Sequence, residues 1–206
     1  TRSAIDINLA LGNLGAQANA FTSEENTVYY AAVIPERFSE MQELLSDMLR
    51  PALEPSEFDM EKKVILEEIA LYQDRPHFFL FENAFKDYFG SHPAGNSVLG
   101  SHDSVSGLTH AQMRDYFDRR YSPSNIVLAA SGNFSWDKFV ADAERYTSHW
   151  QDQTVGRELS RFAGTAKQRV FKKANLSQAH AVLISEGVSA QDSERYPMAL
   201  LSTMLG

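Results

Sequence analysis

Apolar positions along the chain fall into stretches of helical and of alternating spacing, separated by Gly, Pro and Asn punctuation. Ile5, Ile7, Leu9, Leu11 and Leu14 predict a helix over Ser3 to Leu14, capped by Ser3 or Asp6 and ended near Gly15. Ala16 to Thr22 and Thr27 to Ile34 predict two strands joined by Ser23-Glu24-Glu25-Asn26 as a hairpin, the second rich in β-branched and aromatic residues. Pro35 opens a helix over Glu36 to Leu49 with Phe38, Met41, Leu44, Leu45 and Met48 as its core stripe. Pro51 to Pro55 is a connection. Ser56 to Asp74 then predicts a helix without interior Gly or Pro, with Ser56 as N-cap, Asp59 three residues on, and Pro76 as its stop.

Phe78 to Phe89 predicts an aromatic helix closed by Gly90, its stripe a core feature. Ser91 to Gly107 reads as a polar loop, and Thr109 to Tyr121 as a helix with Thr109 as N-cap. Asn125 to Ala130 reads as a buried strand, and Ser131-Gly132-Asn133-Phe134 as a turn into a helix over Asp137 to Trp150. The lone glycine of that turn is punctuation rather than a phosphate cradle. Gln151 to Thr165 is polar and aperiodic and reads as a linker. Arg169 to Lys172 and His180 to Ser185 then predict strands, and Glu194 to Leu205 a helix, so that a β-then-α pattern restarts.

Ser56 to Asp74 organises the rest. Phe58, Glu61, Ile65, Glu68 and Tyr72 lie at spacings of three and four and share one stripe. Glu61 and Glu68 are two turns apart, about 20° around the axis and roughly 10 Å along it. Carboxylates on an otherwise apolar stripe call for a cation, a metal or a hydrogen-bond donor opposite. The competing reading is two ordinary solvated glutamates, as for Glu67. The strand over Ala16 to Thr22 is small-residue-rich, through Gly15, Ala16, Ala18 and Ala20. It could stand at a sheet edge and accept an extended peptide through main-chain hydrogen bonds, or lie inside a sheet under a helix.

Composition narrows this picture. The 206 residues, 43% hydrophobic and 22% charged, suit one sizeable core or two small subdomains. A formal charge of −8 argues against nucleic acid as a partner. No cysteine is present, which excludes disulfides, thiolate metal sites and a cysteine nucleophile. The apolar runs fall short of a membrane span, so a soluble protein is expected. The opening Thr1-Arg2-Ser3 and the closing apolar run to Gly206 read as a fragment at both ends. His77, His92, His102, His110, His149 and His180 include no His-x-x-x-His clamp, and there is no Gly-x-Ser-x-Gly elbow. Spacing alone gives one suggestive carboxylate helix and no complete active site.

Taken together in order, several pieces resemble one family. They are Gly15-Ala16-Gln17-Ala18-Asn19-Ala20-Phe21-Thr22-Ser23, Tyr29-Tyr30, Val64-Ile65-Leu66-Glu67-Glu68-Ile69, His92-Pro93, Leu99-Gly100, Tyr121-Ser122-Pro123 and Ser131-Gly132-Asn133-Phe134. The set resembles the pitrilysin/insulinase-like zinc peptidases, family M16, especially bacterial relatives of the mitochondrial processing peptidase. The resemblance implies an α+β fold, an antiparallel-rich sheet covered by helices. It implies a peptidase domain over residues 1–150 lacking its first strands and motif helix, a linker over 151–168, and the truncated start of a second homologous-type α/β subdomain over 169–206. It implies zinc as cofactor, held through an inverted His-x-x-Glu-His motif that this sequence lacks and that is expected upstream of Thr1. Glu68 matches the family's third zinc ligand, Glu61 the accessory carboxylate of the same helix, and Asn19, Ala20 and Phe21 the edge strand that pairs with substrate. The implied activity is hydrolysis of peptide bonds in extended peptides or small proteins through zinc-activated water. Its implied partners are a peptide substrate and a second copy or a homologous subunit. With one ligand, the chain by itself is expected to be inactive. Two alternatives differ in class: a non-catalytic partner or scaffold subunit of the family, and a metal-free interaction domain.

Overall fold

The computed structural model describes residues 2–153, 156, 162–174 and 176–205. The chain divides into two compact units, Thr1–Ile69 with Val98–Leu159, and Ala70–Ser97 with Ser160–Gly206. The class is α+β, with helices and one two-stranded antiparallel sheet among the described residues. No helix among them is long and apolar enough to cross a membrane.

In the first unit, helix α1 (Ala4–Leu14) starts with a capping box. The Ser3 hydroxyl accepts from the Asp6 amide, and the Asp6 carboxylate accepts from the Ser3 amide. Gly15 ends the helix at φ 59, a conformation costly for any residue with a Cβ. Strands β1 (Gln17–Thr22) and β2 (Thr27–Ala32) follow, in register from Gln17 opposite Ala32 to Thr22 opposite Thr27. A 3-10 turn over Pro35–Arg37 leads into α2 (Phe38–Met48).

The core of this unit lies between α2 and α7 (Trp136–Thr147), the latter capped by Ser135. Met41, Leu44 and Phe139 are buried there, each side chain contributing about 1.5–3 kcal/mol. Phe38 stacks on Phe134 at 5.1 Å between centroids, and Phe139 closes on both at 5.9 and 5.6 Å. Two polar contacts lock the register of the pair. Gln42 Nε2 donates to the Phe139 carbonyl at 3.0 Å, and the Ser39 hydroxyl donates to the buried Asp142 carboxylate. Below this core the Arg50 guanidinium lies 3.7 Å from the Trp150 ring centroid and donates to the Tyr121 carbonyl at 2.8 Å.

Ser122, only 1% exposed, knots the end of α6 (His110–Arg120) to the segment after α7. Its hydroxyl donates to Asp152 Oδ1 at 2.7 Å and accepts from the Gln153 amide at 2.7 Å. The hydrogen bond from Ser122, joined by those from Ser124, holds the Asp152 carboxyl below the usual carboxylate range.

In the second unit, α4 (Pro76–Phe89) carries Asp87, whose carboxylate receives Arg169 at 3.0 Å and Lys167 at 3.6 Å. Desolvation pushes its pKa up, but the bonds and charges of Arg169 and Lys167 outweigh it and leave the group below its ordinary value. Gly164 passes directly over Tyr88; a Cβ there would stand 2.2 Å from the ring. Helix α8 (Arg195–Leu205) completes the unit.

The structure departs from the sequence reading at several places. Asn125 to Ala130, Arg169 to Lys172 and His180 to Ser185 form no strand, because a strand exists through its ladder and no partner backbone lies beside them among the described residues. Val127, expected inside, is 90% exposed. The loop over Ser91 to Gly107 contains a 3-10 turn (Pro93–Gly95) and the short helix α5 (His102–Gly107), the latter set by the Ser101–Ser104 capping box. Helix α3 runs Pro55–Gln73. The φ of Pro55 suits a first helical position, so Ser56 lies inside the helix rather than capping it. Thr154, Val155 and residues 157–161 of the expected linker lie outside the described residues.

Ser122→Ala is expected to cost about 0.5–1.5 kcal/mol, because it removes the buried hydroxyl that joins Asp152 and the Gln153 amide. Chemical denaturation with an unchanged slope measures it; a loss below a few tenths of a kcal/mol contradicts this account.

Candidate zinc ligand and peptide edge

Helix α3 buries Ile69 and half-buries Phe58, Lys62, Ile65, Leu66, Glu68 and Tyr72. Its inward face is therefore centred on Lys62 and Ile69, and the two candidate glutamates stand at one rim of it. Glu68 is half-buried; Glu61 and Glu67 are exposed. Among the described residues neither Glu61 nor Glu68 has a hydrogen-bond or ion-pair partner.

Three contacts fix how α3 enters. Lys62 Nζ donates to the carbonyls of Ser106 at 2.6 Å and Leu108 at 2.8 Å, capping the C-terminal end of α5. His110, at the start of α6, binds the Leu53 carbonyl through Nε2 at 2.5 Å. A carbonyl only accepts, so this nitrogen carries the proton. The same ring meets Phe58 edge-on at 5.8 Å. Leu53 has φ 54, a left-handed conformation that costs a side-chain-bearing residue about 1–2 kcal/mol. The His110 bond holds that turn in place immediately before α3.

The candidate substrate residues lie on β1, whose side chains are exposed throughout. The turn closes with the Ser23 amide donating to the Asn26 carbonyl at 2.8 Å. Antiparallel alternation from that pair directs the backbone groups of Asn19 and Phe21 toward β2 and those of Ala18, Ala20 and Thr22 to the open edge. In agreement, the Ala20 amide donates to Asn19 Oδ1 at 2.8 Å and not to β2. Asn19, Ala20 and Phe21 thus form an exposed strip of an unpaired edge, with no hydrogen bond to Glu61 or Glu68 among the described residues.

No group of three or more His, Asp or Glu stands together closely enough to hold a metal ion among the described residues. His77, His102, His149 and His180 are exposed. His92 is half-buried with Nδ1 accepting from the Ala94 amide, and His110 holds Leu53. Glu68, the expected ligand, is a half-buried carboxylate with no hydrogen-bond or ion-pair partner among the described residues.

Sequence reasoning missed a tyrosine pair. A cleft of about 770 Å³ between the hairpin, α2, α6 and residues 125–128 is lined in part by Tyr29, Leu45, Tyr116, Tyr121 and Leu128. In it the Tyr29 and Tyr121 hydroxyls meet at 3.2 Å. Burial, then the bond to Tyr29, raises the Tyr121 hydroxyl well above the ordinary tyrosine range. Both residues stand in the family-like pieces, but nothing in the sequence joins positions so far apart.

Comparison with known proteins places the chain. The profile of Insulinase (Peptidase family M16) matches residues 1–102, and that of Peptidase M16 inactive domain matches residues 107–206. The uncharacterized zinc protease YmxG of Bacillus subtilis is 30% identical over 209 residues, covering 100% of this chain and 50% of that protein. The mitochondrial-processing peptidase subunit beta of Saccharomyces cerevisiae is 29% identical over 194 residues, covering 91% and 42%. The crystal structure of a peptidase M16 inactive domain from Pseudomonas fluorescens matches at TM-score 0.71 and 17% identity, covering 79% of this chain and 40% of that one, a likeness of fold. The chain belongs to peptidase family M16. It spans about half the length of the curated relatives it matches.

A raised tyrosine pKa favours the folded state below the unfolded value near 10 and loses that contribution as pH rises toward the folded value. Stability of the wild type is therefore expected to fall more steeply above about pH 10 than that of Tyr121→Phe. Denaturation midpoints measured across alkaline pH decide it; parallel curves contradict the partly withdrawn Tyr121 hydroxyl.

Proposed function

We propose that this chain is part of a zinc-dependent metalloendopeptidase that hydrolyses peptide bonds in extended peptides or small proteins. The observation that carries the reading is the carboxylate of Glu68, half-buried on α3 without a partner among the described residues, at the position matching the family's third zinc ligand. A partly desolvated anion in that state is stabilised by a cation. In the longer protein Glu68 would hold the metal together with the two histidines of the family motif. Bound zinc supplies Lewis-acid polarisation of the scissile carbonyl and of the attacking water. Glu61, exposed two turns earlier, would add negative charge beside the site and orient groups around it. Backbone groups of Ala18, Ala20 and Thr22 on the open edge of β1 would hold the peptide extended, with Asn19 and Phe21 flanking it.

The match of residues 107–206 to a domain described as inactive supports a second reading, a non-catalytic partner subunit. An intact His-x-x-Glu-His in the longer protein supports the enzyme, and a degenerate one the partner. The exposed apolar residues Ile5 and Leu9 on α1, and Leu200, Met204 and Leu205 on α8, suit covering by a homologous subunit or a second copy under either reading. Its bacterial relatives support a location in the bacterial cytoplasm or periplasm.

In the longer protein, Glu68→Gln is expected to weaken zinc binding by more than the roughly 10–100-fold typical of groups supporting a ligand, Glu61→Gln by about that range, and Glu67→Gln not at all. Zinc competition with a chromogenic chelator measures all three. Wild-type affinity in Glu68→Gln overturns the assignment. The isolated chain of residues 1–206 is expected not to cleave a peptide with or without added zinc.

A further inference from the structure

The outer edge of β1 is not simply open. Ala20 is the central residue whose amide faces away from β2, and that amide is already taken by the side chain of its own neighbour, Asn19 Oδ1, at 2.8 Å. Asparagine is depleted in strands because its short carboxamide competes for backbone hydrogen bonds. Here it does so at the middle of the three amides that face the open edge. The neighbouring residues Ala18 and Ala20 are too small to shield the edge themselves. An unpaired, exposed strand edge invites indiscriminate pairing, and natural sheets carry devices against it.

We propose that Asn19 is an internal placeholder on this edge: its carboxamide occupies the Ala20 amide in the free protein, and an arriving extended peptide has to displace it. The proposal rests on the reading of β1 as the peptide-docking edge and adds to it a regulated cost of docking. The competing bond is to a main-chain amide, so it penalises every peptide alike. It sets a threshold for docking and leaves the choice among side chains to other contacts. Only a segment that forms several ladder bonds at once overcomes it, which favours extended stretches over chance single contacts.

The test uses the longer protein that carries this chain, stripped of divalent metal by chelation so that bound peptide is not turned over. Two short unstructured fluorescent peptides of unrelated sequence serve as probes, and amide hydrogen exchange across β1 is followed with and without them. Removing one competing hydrogen bond is expected to tighten both peptides by the same factor, about two- to tenfold, in Asn19→Ala. The Ala20 amide should exchange faster in the free variant than in the free wild type. Asn19→Asp keeps an acceptor at the same place and is expected to bind both peptides no more tightly than the wild type; it stands in should Asn19→Ala fold poorly. Equal affinity of wild type and Asn19→Ala, with β1 amides protected by peptide in both, overturns the placeholder and leaves the docking edge standing. Absence of protection at Ala18, Ala20 and Thr22 by either peptide overturns the docking edge and the placeholder together. Tightening of one peptide and not the other also overturns it, because the effect would then belong to side chains.

Discussion

Packing of α2 against α7 is the interaction on which the first unit depends. Three of the four buried apolar side chains among the described residues, Met41, Leu44 and Phe139, lie in that seam. The helices are far apart in sequence, so closing them encloses α3 and α6 in one loop of chain. Phe38, Phe134 and Phe139 meet in it, while Gln42 and Ser39 choose one register by spending their hydrogen bonds across the seam. A displaced register would strand the Asp142 carboxylate and the Gln42 carboxamide in apolar surroundings, which is far costlier than losing a methylene contact. The contacts that steady α3 and the Ser122 knot are built outward from this seam.

Local chemistry announced the helices well and the sheet poorly. Ser3 and Thr109 cap helices through contacts within three residues, and both halves of each cap stand in the sequence. The hairpin was equally visible, since a four-residue polar turn separates two runs of strand-like composition. Asn125 to Ala130 has the same composition, yet composition states only that a segment would suit a ladder. Whether a neighbouring backbone is there to complete it is a long-range fact. Ser56 misled for a different reason: Pro55 is itself a good first helical residue, and serine next to it is then superfluous as a cap.

The candidate site was readable in part. Spacing put Glu61 and Glu68 on one side of α3, and they do share a rim, but only Glu68 is partly withdrawn from water. The inward face is turned toward Lys62 and Ile69 because Lys62 reaches two carbonyls at the end of α5, an acceptor pair no periodicity can forecast. Family likeness supplied the roles expected of Glu68, Asn19, Ala20 and Phe21. Coordinates added the direction of each backbone amide on β1, and with it the occupied state of Ala20.

The left-handed turn at Leu53 acts as a hinge pin for a long lever. Glu68 lies roughly 20 Å along the helix from Pro55, so a tilt of about 5° at the pin would carry its carboxylate almost 2 Å sideways. Coordination distances to a metal tolerate only about a tenth of that. Under the proposed metal role of Glu68, drift at Leu53 or His110 would therefore be felt at the far end of the arm.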